Sequence, residues 1–283
     1  MLVRDLIEAR KSEFTAAERR VIPFLRDDSL AIELQSITKL AEAAEVSTPT
    51  IIRLARKLGF DGFPDLQNAI RSELAERIKQ PLAKLEAQTP NIGDDHIINQ
   101  FAHKTVENVN QTISQVDHAK FDQAVDLFAD RSRAIKLIGG RLTWPVAGHF
   151  ANHLHIVRPN VSLLPASQNS WPQSILDMDD RTVLVMFDIR RYERKFERLA
   201  QLAAAREARI VLFTDQWGSP IENMADICFR AMIQAPSSWD SMIALTFLVE
   251  TIVAQVQRNA PEATEQRIAD IEKLISDTGM FTR

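Results

Sequence analysis

Ser36 to Asp61 reads SITKLAEAAEVSTPTIIRLARKLGFD, and its spacing decides the fold of the N-terminal part. Ile37, Leu40, Ala41 and Ala44 recur at i, i+3, i+4 and i+7, which lines one face of a helix. Ile51, Leu54, Ala55 and Leu58 repeat that spacing. Ser36 and Ser47 stand where N-caps belong, able to accept a bond from an unpaired first-turn N–H. Pro49 follows where its missing N–H costs little, and Gly59 where a C-cap enters the left-handed region. Two short helices hinged at Ala44-Glu45-Val46 predict a helix-turn-helix.

With the apolar stripe turned inward, the second helix offers Ser47, Thr48, Pro49, Thr50, Arg53, Arg56 and Lys57 as candidate contacts to double-stranded DNA. No carboxylate stands between Glu45 and Asp61. Hydroxyls near the helix start can approach base edges, and arginine can pair bidentately with guanine. The later cations suit phosphate oxygens, which position a domain without reading sequence. Spacing alone leaves open an ordinary helical hairpin with a solvated cationic face.

Composition sets outer bounds. At 283 residues, 45% hydrophobic and 25% charged, the chain has room for two domains with a sizeable core. A net charge of -4 excludes a generic polyanion binder, so DNA binding needs a local cationic face. MLVRDLIEARK has acids in its first turns and no long apolar run, so neither a signal peptide nor a membrane span is expected, and the location expected is cytoplasmic. Cys228, the single cysteine, excludes an intrachain disulfide and reads as a buried small hydrophobe. His149 and His153 are four residues apart on one predicted helix with His155 beside them, but no third ligand is evident, and no metal or cofactor is expected.

Three regions follow. Residues 1–80 are helical in pattern and form the DNA-binding domain, with Thr15-Ala-Ala-Glu18 as a capping box and Pro23 expected to kink or shorten the helix it opens. Residues 81–117 read as a helical linker, the TPNIGDD turn followed by a polar helix suited to spacing or dimer contact. Residues 118–283 alternate short β-rich runs (AIKLIGG, VSLLP, TVLVMF, RIVLFTD, ICFRAM) with helical stretches, which predicts an α/β domain whose parallel sheet is covered on both faces. In such sheets ligands bind beyond the carboxyl ends of the strands. The apolar segment from Trp239 to Val256 predicts a buried helix, and an amphipathic helix runs from Pro261 to about Ser276.

TAAERRVIPFL, the helix-turn-helix running on through RKLGFDGFPDL (Arg56 to Leu66), and TDQWGSPIENMAD together resemble the RpiR/MurR family of bacterial transcriptional regulators over nearly the whole chain. The resemblance implies an all-α helix-turn-helix domain followed by a sugar isomerase (SIS) domain, an α/β doubly wound fold with a five-stranded parallel sheet that senses a metabolite. It also implies a homodimer or homotetramer on a near-palindromic operator. Glu45 stands where the family usually carries glycine, at a cost of about 1 kcal/mol if that hinge is left-handed.

The sensor loops depart further from the family pattern. Serine and threonine hydroxyls are usual after the first and third strands, whereas this chain has GGRLTWP (Gly139 to Pro145) and FDIRRYE (Phe187 to Glu193). Arg141, Arg190 and Arg191 offer planar forks for a carboxylate or phosphate, and the helix after Pro145 adds partial positive charge. Gly140, Thr143, Asp188 and Tyr192 complete the candidate site for a small anionic metabolite, a sugar phosphate or a carboxylate. A degenerate site in which Asp188 pairs with the arginines is the alternative. No catalytic residue is assigned and no enzyme is expected, the competing function being a SIS-type sugar-phosphate isomerase or etherase with an accessory helical domain.

Overall fold

The structure, a computed structural model, describes residues 3–26, 36–78 and 96–279. The chain divides into two compact units, Met1–Pro90 and Asn91–Arg283.

The first unit contains α1 (Val3–Ala9), α2 (Ala16–Arg26), α3 (Ile37–Ala43), α4 (Thr48–Leu58) and α5 (Phe63–Ile78). Leu40, Ala41, Ile51, Leu54, Ala55, Leu58 and Leu66 are buried together with Phe14, Val21 and Leu25, so the apolar stripes of α3 and α4 face a common core. The capping box opens α2 as expected: Thr15 N–H donates to Glu18 Oε2 at 2.8 Å and Glu18 N–H to Thr15 Oγ1 at 3.3 Å. The helix then continues past Pro23 to Arg26. Ser36 caps α3 by accepting from Lys39 N–H at 3.1 Å. Between α3 and α4 the chain turns at Glu45 with φ 52°, so the hinge is left-handed and the strain expected of a non-glycine residue there is present. Gly59, at φ 100°, ends α4.

The second unit runs α6 (Ile97–Gln115), α7 (His118–Ala129), β1 (Ala134–Gly139), α8 (Trp144–Val157), β2 (Val161–Leu163), α9 (Trp171–Leu176), β3 (Thr182–Phe187), α10 (Arg194–Ala204), β4 (Arg209–Asp215), β5 (Ile227–Ala231), α11 (Ile243–Asn259) and α12 (Pro261–Thr278). Among the described residues there is one five-stranded sheet, all parallel, in the order β2-β1-β3-β4-β5. The order reverses between β1 and β3, which opens a crevice at their carboxyl ends. One face of the sheet packs Leu184, Met186 and Leu212 against Phe196, Leu199 and Ala203 of α10. On the other face Phe150 of α8 meets Phe187 and Phe213 edge-on, and those two rings stack at 4.6 Å. Burial on both faces explains why β3 reads TVLVMF without a polar alternation.

Two expectations change. The polar helix assigned to the linker lies in the second unit as α6, because its Asn108 and Thr112 are buried. Asn108 Nδ2 donates to Gln234 O at 2.6 Å and Thr112 Oγ1 accepts from Met232 N–H at 3.0 Å, so both polar groups satisfy backbone just after β5. The rest of the expected linker, 81–95 with its TPNIGDD turn, lies outside the described residues. The apolar C-terminal segment becomes helical only at Ile243, leaving Trp239 in an exposed loop; Leu245, Leu248, Val249, Ile252 and Val253 are buried as expected, whereas Ile243 is exposed and Phe247 half-buried.

Candidate functional site

On α4, Ser47, Pro49, Arg53 and Arg56 are exposed and Thr48 is half-buried. Two members of the expected DNA-binding set are placed differently. Thr50 is buried, with its hydroxyl 3.0 Å from Ser47 Oγ and 3.4 Å from the donating Arg53 Nη2. Ser47 therefore bonds to a side chain and caps no backbone N–H of α4. Lys57 turns inward: Nζ donates to Glu18 Oε2 at 2.7 Å and to Glu13 O at 2.9 Å. Glu18 is buried, and burial works to raise its pKa, but the Lys57 and Thr15 bonds outweigh it and hold the carboxyl below its ordinary 4.5.

In the second unit the loops after β1 and β3 meet, as the strand order requires. Gly140 N–H donates to Phe187 O at 3.2 Å, and Arg141 N–H donates to Glu193 Oε1 at 3.2 Å. Gly139 must be glycine, since a Cβ there would lie 2.5 Å from Thr143 O. The Thr143 hydroxyl is fully used: it donates to Phe187 O at 2.7 Å and accepts from Gly140 N–H at 2.8 Å, buried beneath the loop. It is a strut between the two loops.

The acidic groups are buried behind them. Asp188 accepts from Ser219 Oγ at 2.5 Å and from Glu193 N–H at 3.4 Å. Burial pushes its pKa up to about 7, with the charges of Asp215 and Glu193 adding to the rise. Asp215 accepts from Tyr192 OH and Arg190 N–H, both at 2.7 Å, and from the N–H groups of Trp217 and Gly218 at 3.0 and 3.2 Å. Burial also raises the pKa of Asp215, and those donors oppose the rise. Arg190 pairs with Asp240 at 3.2 Å and lies 4.0 Å over the Trp217 ring. Where the alternative reading paired Asp188 with the arginines, Asp188 bonds to Ser219 and Arg190 pairs with Asp240.

Of the seven expected ligand residues, Arg141 and Arg191 keep exposed side chains at the crevice. Gly140, Thr143, Asp188, Arg190 and Tyr192 shape it from within. Sequence reading missed Glu193, Asp240 and Trp217. The signal available was Asp215 at the carboxyl end of β4, where a buried acid must be satisfied by neighbouring loops.

Elsewhere, the His149 and His153 rings lie 4.1 Å apart and His149 Nε2 is 3.1 Å from Glu250 Oε1. No group of three or more ligating side chains suited to a metal occurs among the described residues. Burial pushes the Cys228 thiol up to about 12, which suits a packing role. No helix of the described residues is long and apolar enough to cross a membrane.

Residues 1–77 match the helix-turn-helix domain of the rpiR family, and residues 128–255 match the SIS domain. The chain belongs to the RpiR family. HexR, an HTH-type transcriptional regulator of Pseudomonas aeruginosa, is 25% identical over 246 residues, covering 86% of this chain and 82% of the relative. Among solved structures of RpiR-like fold, the Vibrio vulnificus NanR protein complexed with ManNAc-6P superposes with a TM-score of 0.63 at 16% identity, covering 100% of both chains. The sugar isomerase domain of an RpiR transcription factor from Sphaerobacter thermophilus gives 0.60 at 19% identity, covering 63% of this chain and 99% of that one. This RpiR-family protein is a DNA-binding transcriptional regulator with a SIS domain.

Proposed function

We propose that this regulator reads its operator through the exposed face of α4 and is controlled by a small anionic metabolite, a sugar phosphate or a carboxylate, bound where the β1 and β3 loops meet. Ser47, Thr48 and Pro49 approach base edges, Arg53 pairs with a base, and Arg56 holds a phosphate. The metabolite's charge is met by Arg141 and Arg191. The observation that carries the sensor half is the reversal of strand order between β1 and β3, which brings two exposed arginines to one crevice. NanR's capture with ManNAc-6P supports a phosphosugar as the first class to test.

The domain senses its ligand without turning it over. What supports this reading is that Thr143, Asp188 and Tyr192 are bonded to the protein's own groups rather than held out as an acid and base for isomerisation. Thermal unfolding of the full chain against a panel of sugar phosphates and organic acids tests the reading. A ligand at ~100 times its dissociation constant adds about 2.7 kcal/mol and raises the midpoint. Indifference to every anion would remove the sensor role, and turnover of an aldose or ketose phosphate would move the domain to the isomerases. Assembly is proposed as an even oligomer, whose two α4 helices span successive half-sites.

A further inference from the structure

Lys57 is the one cation of α4's outward set that the structure turns inward, and three contacts converge on it. Its ammonium donates to Glu18 Oε2 at 2.7 Å and to Glu13 O at 2.9 Å, and its own carbonyl accepts from the Arg10 guanidinium. Glu18 is only 4% exposed. If Lys57 swung out to a DNA phosphate, that buried carboxylate would lose its cation, and a stranded buried charge is costly. The same carboxylate oxygen accepts from Thr15 N–H and so also closes the first turn of α2. α2 and the last turn of α4 are thus joined through one buried group.

We infer that Glu18 is a positioning residue for DNA recognition: acting through Lys57, it sets the angle at which α4 is presented, and Lys57 works inside the domain and contacts no phosphate. This rests on the reading of α4 as the DNA-reading helix. The leverage is large, because α4 rises about 15 Å from its anchored end to its reading end and a 10° swing would move that end by about 2.6 Å. Hydrogen bonds to base edges do not survive such a shift.

The test uses the full-length chain and a duplex that it selects from a random pool, with active fractions corrected by stoichiometric titration. Glu18→Gln keeps the capping box, since glutamine accepts from Thr15 N–H, but removes the charge that holds Lys57. Lys57→Met keeps the stem and removes the cation. Each is expected to weaken the selected duplex about tenfold, and the double variant no more than either alone, as for residues acting as one unit. Lys57→Arg should restore most of the affinity. The slope of log affinity against log salt should stay at the parent value in Lys57→Met, while Arg56→Ala lowers it by about 0.9. A drop of that size in Lys57→Met, additive losses in the double variant, or no loss in either single variant would overturn the inference. If no duplex is selected, the α4 reading fails, and the salt slope on an arbitrary duplex still decides whether Lys57 touches phosphate.

Discussion

The exposed face of α4 and the crevice between β1 and β3 carry similar residues and use them in opposite ways. On α4, Arg53 and Arg56 are exposed, and one buried carboxylate, Glu18, is matched by Lys57. At the crevice the hydroxyls and carboxylates of Thr143, Asp188 and Asp215 are turned inward and satisfied by backbone and side chains. A face that reads a rigid, fully charged duplex needs little concavity, whereas a small-molecule crevice needs walls. Polar side chains buried in those walls define shape first and contact a ligand second. The difference teaches that a polar loop at a strand's carboxyl end is not a list of ligand contacts until each hydroxyl and carboxylate has been assigned its partner.

That comparison can be broken most sharply at Asp215. Asp215→Ala leaves the backbone N–H groups of Arg190 and Trp217 and the Tyr192 hydroxyl without their acceptor, while Gly218 N–H keeps the Asp215 carbonyl, and should cost on the order of 3 kcal/mol in denaturant unfolding. A loss below about 1 kcal/mol would mean that water replaces the carboxylate and that the wall admits solvent. On α4, Arg53→Ala should leave unfolding unchanged but cost about 1 to 3 kcal/mol at one base pair, measured by comparing operator variants. Retained sequence preference would move base reading off Arg53.

Asp188 and Glu18 should also titrate in opposite senses. Asp188 has a raised pKa, so the folded chain holds a proton that the unfolded chain releases, and its contribution to stability falls as pH rises from about 4 to about 7. Asp188→Asn should abolish that fall, seen as a gain in unfolding midpoint over the parent that grows toward pH 8. Glu18 has a lowered pKa, so its contribution is present above its ordinary 4.5 and disappears as pH drops through the folded value. Glu18→Gln should therefore cost most at neutral pH and least in acid. Parallel pH trends in the two variants would erase the contrast between the sites. The smallest effect is expected at Glu45, where Glu45→Gly should relieve the left-handed strain and stabilise by about 0.5 kcal/mol.

Legibility in the sequence follows the range of the interaction. The Thr15–Glu18 capping box, the Ser36 cap and the Gly59 cap each involve residues within a few positions and were readable from spacing, whereas the left-handed hinge at Glu45 was suggested only by the family resemblance. The Lys57–Glu18 pair spans 39 residues, Asp188–Ser219 31 and Arg141–Glu193 52, and no periodicity encodes them. Thr50 illustrates the boundary case: a hydroxyl on the reading helix is equally compatible with a base contact and with a bond to Ser47, and only burial separates the two.

Local chemistry alone determined the paired amphipathic helices and the strand rhythm, because helix faces, caps and fully buried parallel strands leave their period in the chain, while the family rested on the resemblance of whole motifs. Tertiary structure decided which polar groups stay exposed at the two faces: Arg53 and Arg56 but not Lys57 on α4, Arg141 and Arg191 but not Thr143 or Asp188 at the crevice. The reason is that a buried donor or acceptor must find a partner, and the nearest partner in space is seldom the nearest in sequence.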